Sequence, residues 1–261
     1  MTSIHTQVYP DGSLKSIYFR NIHGYHRIDG PAIQSWHANG QLAYQYYHTN
    51  GKHYNFFDTY TNQTIPAIQS WHRNGQLLSR ECYIDDERNN IFDKNTNQTI
   101  PALQEWHING QLYSQHYYVN GKRSNFVNHD TNQTIPAVQS WYNNKQIWSQ
   151  KYHINGELNN FFDAHTNQTI PAVQEWHKNG QLAVQKYHID GKRNNFFNTY
   201  TNQTIPSFQY RYRTGELYFQ EYYTNDKLNN FFDTNTYHTI PASQRWYNDR
   251  QLSSQHYYTN G

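Results

Sequence analysis

Residues 31–57 read Pro31-Ala32-Ile33-Gln34-Ser35-Trp36-His37-Ala38-Asn39-Gly40-Gln41-Leu42-Ala43-Tyr44-Gln45-Tyr46-Tyr47-His48-Thr49-Asn50-Gly51-Lys52-His53-Tyr54-Asn55-Phe56-Phe57. Two Asn-Gly pairs, Asn39-Gly40 and Asn50-Gly51, punctuate runs of aromatic, β-branched and amide residues. Asn-Gly between such runs is the strongest short-range hairpin signal, because both residues tolerate positive φ. The stretch therefore predicts a three-stranded antiparallel meander over about Ala32–Ala38, Gln41–His48 and Lys52–Phe57. Two-residue turns would set Trp36 opposite Ala43, Gln34 opposite Gln45 and Ala32 opposite Tyr47. Across the second turn they set Tyr47 opposite Tyr54 and Gln45 opposite Phe56. Opposite residues share a face, so Ala32, Gln34, Trp36, Gln45, Tyr47 and Phe56 fall on one face. Ile33, His37, Leu42, Tyr44 and Phe57 fall on the other. Apolar residues on both faces suggest that the units curl, or that the loops fold back over one face.

The same unit recurs every 35 residues. Pro31, Pro66, Pro101, Pro136, Pro171, Pro206 and Pro241 keep the step without a gap, as do Gln34, Gln69, Gln104, Gln139, Gln174, Gln209 and Gln244. Trp36, Trp71, Trp106, Trp141, Trp176 and Trp246 follow it too, with Arg211 in the missing place. A fixed period of this length marks a repeat array. The expected fold is all-β: an elongated tandem array of antiparallel β-hairpins or three-stranded meanders. Residues 1–30 form a divergent, shorter first unit, since Gly12 to Gly40 is 28 residues. Residues 31–261 form the tandem repeats, the last incomplete at Asn260-Gly261. The strand Gln251–Tyr258 and the first strand, Ile4–Tyr9, would then offer edges for self-association.

Composition narrows the function. Mean hydropathy is low at −1.08, yet 17% of residues are Phe, Trp or Tyr, so thin, tyrosine-rich packing is expected rather than a deep aliphatic core. Net charge is +2 with no basic run, which argues against a nucleic-acid partner. The single cysteine, Cys82, lies in a column of tyrosines and reads as a buried substitute. No signal peptide or apolar span is evident, which points to an intracellular, cytoplasmic protein without an integral membrane span. Asn-Gln-Thr recurs at Asn62, Asn97, Asn132, Asn167 and Asn202; at the repeat period, these read as turns rather than glycan sites.

Trp-His-x-Asn-Gly-Gln-Leu and Tyr-x-x-Asn-Gly-Lys resemble the variant MORN repeats. The first copy, Gly24-Tyr25-His26-Arg27-Ile28-Asp29-Gly30-Pro31-Ala32, resembles the His-Arg-x-Asp-Gly-Pro-Ala unit of repeat proteins from large DNA viruses, phages and some intracellular bacteria. The period here is longer than that of ordinary MORN repeats. The resemblance implies a β-hairpin scaffold or binding surface, and it suggests a structural, virion-associated component of a large virus. A bacterial antitoxin-like or effector binding module is the alternative.

A repeat spreads the same residues along a line, whereas catalysis needs unlike residues converging once. No enzyme activity, catalytic residue, cofactor or metal is therefore expected. The histidines His37, His72, His107 and His177 form one column. His48, His153 and His188 share another with Tyr83, Tyr118, Tyr223 and Tyr258, and free exchange with Tyr argues against a metal ligand. Asp58, Asp93, Asp163 and Asp233 stand at loop starts, where Asp caps turns. The expected function is protein–protein interaction, with a carbohydrate-binding face as a further alternative. The candidate binding residues are the repeated aromatics Trp36, Trp71, Trp106, Trp141, Trp176, Trp246, Tyr47, Tyr117, Tyr152 and Tyr187. The competing reading makes the Trp and Tyr columns packing and Gln34–Gln45 a hydrogen-bonded ladder.

Overall fold

The computed structural model describes residues 2–128 and 131–258. It is all-β, a succession of antiparallel hairpins with no helix among the described residues. By its contacts the chain divides into two compact units, residues 1–122 with 143–145 and residues 123–142 with 146–261. In the first unit the sheet runs Ser3–Val8, Leu14–Asn21, Ile33–Trp36, Leu42–Tyr46, Ile68–Trp71, Leu77–Glu81, Leu103–Trp106 and Leu112–His116, each strand antiparallel to the next. In the second it runs Val138–Trp141, Ile147–Lys151, Val173–Trp176, Leu182–Lys186, Phe208–Arg211, Leu217–Glu221, Ser243–Trp246 and Leu252–His256. The turn expected at Asn260-Gly261 lies outside the described residues.

Across the first turn the glutamine register is as the sequence predicts. Gln34 faces Gln45, which faces Gln69, then Arg80 and Gln104. In the second unit Gln139, Gln150, Gln174, Gln185, Gln209, Gln220, Gln244 and Gln255 succeed one another across the strands. Side chains join parts of the row: Gln45 Nε2 donates to Gln69 Oε1 at 2.7 Å, Arg80 Nε to Gln104 Oε1 at 2.7 Å, and Gln220 Nε2 to Gln244 Oε1 at 2.8 Å.

The first turn departs from expectation. Trp36 faces Leu42, not Ala43, and the register slips between Ser35 and Trp36. The Gly40 N–H donates to the His37 carbonyl at 2.9 Å, His37 N to Gln41 O at 2.8 Å, and Gly40 has φ 81°. Asn39 is not left-handed. This is a type I turn followed by a left-handed glycine and a bulge, the other common way Asn-Gly closes a hairpin. The second turn is the expected two-residue form. Asn50 and Gly51 both have positive φ, at 51° and 80°, and His48 and Thr49 pair with His53 and Lys52. Asp85-Asp86 and Asn225-Asp226 adopt the same conformation.

The third strand of the expected meander does not join the sheet. Phe56–Asp58 pairs instead with Gln63–Ile65 in a small hairpin of its own, so Phe56 faces Ile65 and not Gln45. Gln45 is taken by Gln69 of the next repeat. Asn55 accounts for the departure. Its Oδ1 accepts the N–H of Ala67 and the N–H of Tyr83, both at 3.1 Å. A side chain that satisfies two main-chain donors ends the ladder at that point. Asn90, Asn125, Asn160, Asn195 and Asn230 repeat both bonds. The small hairpin is closed by an aspartate turn, as the sequence suggests: Asp58 accepts from Tyr60 N at 2.9 Å and from Thr61 Oγ1 at 2.8 Å. Asn62 then takes φ 55°, as do its repeats at nearly the same angle.

Burial concentrates where the small hairpins meet the sheet. Ala32, Ala67, Ala102, Ala137, Ala172 and Ala242 are fully buried, and so is Ser207 in the same column. The Tyr47 ring, 4% exposed, stacks on Phe56 at 5.2 Å, and Tyr152–Phe161, Tyr187–Phe196 and Tyr222–Phe231 repeat the stack. Where Cys82 replaces the tyrosine, it is fully buried, and Ile91 is buried in place of the phenylalanine.

Candidate functional site

The sequence-predicted aromatics separate into two groups. Tyr47, Tyr117, Tyr152 and Tyr187 are buried under the small hairpins. Burial pushes the hydroxyls of Tyr47, Tyr152 and Tyr187 up to about 12. These rings pack against the hairpins and expose little surface, though Tyr187 reaches the lining of a cleft described below. Trp36, Trp71, Trp106, Trp141, Trp176 and Trp246 are half-buried at the strand ends beside the first turns. Their main chain has a structural task. His37 Nε2 lies 3.0 Å from the Trp71 carbonyl and His72 Nε2 3.1 Å from that of Trp106, while Tyr142 and Tyr212 donate their hydroxyls to Trp176 O and Trp246 O. His177 makes the bond to Arg211 O. The partner is a carbonyl, which explains why Arg211 is tolerated there and why His and Tyr exchange.

The second histidine column is buried. His48, His153 and His188 are all buried, and beside His48 the rings of His53 and Tyr83 follow, with His48 and His53 at 4.3 Å and His53 and Tyr83 at 4.5 Å. Burial lowers the pKa of all three, that of His153 to about 4. Among the described residues, no three His, Cys, Asp or Glu side chains converge as metal ligands. Cys82 sits in apolar surroundings that push its thiol up to about 12, which disfavours the reactive thiolate. No helix among the described residues is long and apolar enough to cross a membrane.

Sequence reasoning did not single out as a surface the exposed ring that recurs in the small hairpins of each unit. Phe57, Phe92, Phe162, Phe197 and Phe232 are each about half exposed. Each stands opposite a threonine in its small hairpin, as Phe162 opposite Thr169 and Phe197 opposite Thr204. The signal was present in the doublet Phe-Phe-Asp: the first ring enters the core and the second, on the other face of a two-residue alternation, faces out.

Between consecutive small hairpins lie clefts. In the second unit one of ≈ 860 Å³ is bounded by Phe162 and Thr169 on one hairpin and by Phe197 and Asn198 on the next. Its floor is Gln174 and Gln185 of the sheet. In the first unit Phe57, Thr64 and Phe92 line an equivalent cleft of ≈ 430 Å³. The hairpin tips are joined across each cleft, by Asn167 Nδ2 to Tyr200 Oη and by Asn62 Nδ2 to Asn95 Oδ1.

No protein-family model matches this chain, and no curated protein matches it at a significant level. Its two sheet faces differ in kind. The face of the glutamine row is nearly constant from repeat to repeat. The opposite face is not: the position of Ser35 becomes Ser70, Glu105, Ser140, Glu175, Tyr210 and Arg245, and that of Tyr46 becomes Glu81, His116, Lys151, Lys186, Glu221 and His256. On that face of the second unit Phe208, Tyr210 and Phe219 adjoin. The Phe208 and Phe219 rings meet edge to face at 5.8 Å, Lys186 Nζ lies 5.6 Å over Phe208, and the Arg245 guanidinium lies 4.9 Å over Phe219.

Proposed function

We propose that this chain is a non-enzymatic β-hairpin repeat scaffold of the variant MORN type, and that it binds a protein partner through its variable sheet face. The observation that carries the reading is the contrast between faces. Glutamines recur at Gln174 and Gln209, while the neighbouring positions Glu175 and Tyr210 change from one repeat to the next. A surface whose residues change along a constant frame suits an aperiodic partner, and a protein is one. The cluster of Phe208, Tyr210, Phe219 and Arg245 has the composition of an interaction hot spot, where aromatic and arginine side chains dominate. Partly exposed rings flanked by cations also bury area at little conformational cost.

The reading is tested by placing a photo-crosslinking amino acid at Tyr210 in one experiment and at Phe197 in another, in the native host. A single protein crosslinked from Tyr210, and lost on Arg245→Ala, is expected. Crosslinking from Phe197 alone would assign protein binding to the other face.

A further inference from the structure

We propose that the cleft between the Phe162 and Phe197 hairpins is a binding site for a neutral saccharide. This goes beyond the protein-binding reading and uses the opposite, constant face of the sheet.

A sugar ring offers flat C–H faces and a rim of hydroxyls, each both donor and acceptor. The cleft supplies counterparts to both. Phe162 and Phe197, 54% and 50% exposed, are rings with free faces. Side-chain amides supply a donor and an acceptor from one planar group, and Gln174 and Gln185 form the floor. These two are half-buried, and among the described residues neither side chain has a hydrogen-bond partner, although Gln45–Gln69 and Gln220–Gln244 are bonded at equivalent places. Both amides line the open cleft and bond to no protein group, so a ligand's hydroxyls can take the place of water there.

The charge of the lining selects for neutrality. No Lys, Arg or His lines this cleft, so a phosphate, sulfate or uronate has no counter-ion there. Its one carboxylate, Asp163, is already engaged by His165 N at 3.0 Å and Thr166 Oγ1 at 2.8 Å. The volume of ≈ 860 Å³ falls within the range of small-ligand sites. The arrangement also recurs. Each repeat adds two strands to the sheet, so equivalent rings within a unit succeed one another at roughly 9.5 Å. A polymer of identical sugars would meet an exposed phenylalanine ring again at the next repeat.

The test is calorimetric titration of the full chain with neutral oligosaccharides (cellohexaose, maltohexaose, xylohexaose and chitohexaose) and their disaccharides. At least one series is expected to bind, with the hexamer tighter than the dimer. Phe197→Ala should weaken binding roughly tenfold, the size of one stacking contact. Gln185→Leu, which keeps the side-chain bulk, should weaken it as well. Ile22→Ala, an exposed apolar side chain outside the cleft, should not. Circular dichroism melts show whether each variant is folded. No binding of any series to the folded parent at millimolar concentration overturns the proposal. So does binding that Phe197→Ala and Gln185→Leu leave unchanged, or that an extended Asn- and Gln-rich peptide reproduces with the same dependence on Phe197.

Discussion

Asn195 holds two segments of main chain that are far apart in sequence, Ser207 N at 3.1 Å and Tyr223 N at 2.9 Å. Asn195→Ala leaves both amides without an acceptor. A buried donor that loses its partner costs about 1–3 kcal/mol, so a loss of about 2–4 kcal/mol is expected in urea unfolding, with Asn195→Asp, which keeps an acceptor oxygen, losing less. His153 makes a second residue-scale prediction. Burial, assisted by the Arg123 charge, holds its pKa at about 4, against 6.5 in an unfolded chain. Between those values the unfolded chain binds a proton that the folded one does not. Stability therefore falls as pH drops from about 6.5 to about 4, by up to roughly 3 kcal/mol, and then levels off. His153→Tyr, the residue that the column carries at Tyr118, should reduce this acid sensitivity; an unchanged pH profile of unfolding would count against buried, neutral His153. The asparagine column keeps the 35-residue step, but sequence reasoning passed over it, because its role is not readable there. Its partners lie 12 and 28 residues away, and nothing local marks them. The exchange of His for Tyr, by contrast, was readable as a column, since it needs only the 35-residue step.

Among the elements, the first turn is where side-chain identity and backbone demand part company. Its left-handed position is glycine at Gly40, Gly75, Gly110, Gly180 and Gly215, but Lys145 and Arg250 hold it, each with φ 69°. A non-glycine residue in that region costs roughly 1–2 kcal/mol. The Arg250–Glu216 contact at 3.5 Å is solvent-exposed on the arginine side and offsets little of this. Arg250→Gly should therefore raise stability by about 1 kcal/mol, read as a higher unfolding midpoint; a lower midpoint would show that the ion pair dominates. The glutamine register was legible because it needs only the period of two and the hairpin centre. The bulge was not, since Asn-Gly serves both turn types and the two differ only in where the left-handed residue falls. The small hairpin was hidden for a related reason. Asp-x-x-Thr-Asn-Gln-Thr reads as loop, and only the turn at Asp58 and Asn62 reveals that Phe56–Asp58 and Gln63–Ile65 pair within it.

For the molecule as a whole, repetition makes damage local. Trp106 is half-buried, with the Arg80 guanidinium 5.5 Å from its ring. Trp106→Ala should cost about 1–3 kcal/mol, less than the loss of a fully buried ring. Because stability in repeat proteins is carried by neighbouring units, faster amide exchange is expected in Leu103–Trp106 and its partners Leu77–Glu81 and Leu112–His116. An equal loss of protection in Leu217–Glu221 would contradict this. The repeat architecture was legible at this scale from seven prolines alone. The candidate site was not, because which of two adjacent phenylalanines faces solvent depends on a hairpin that the sequence disguises.

Many of the bonds that tie one repeat to the next are addressed to main chain: His37 to the carbonyl at Trp71, Asn39 Nδ2 to the carbonyl at Arg73, and Asn55 to the N–H at Tyr83. These do not ask what side chain the neighbour carries, and the side-chain bonds beside them, such as Gln45–Gln69, join columns that the repeat largely keeps. Copies are thus interchangeable in a genetic sense. An unequal crossover that removes or adds 35 codons creates a seam that already exists elsewhere in the chain, and no second mutation is needed to heal it. Excision of residues 171–205, which joins Ile170 to Pro206, should give a folded protein whose remaining strands keep their amide protection, whereas an excision of 30 residues should not. The gene can change length by whole repeats while each surviving copy drifts on its variable face, so new surfaces arise by recombination before they arise by substitution.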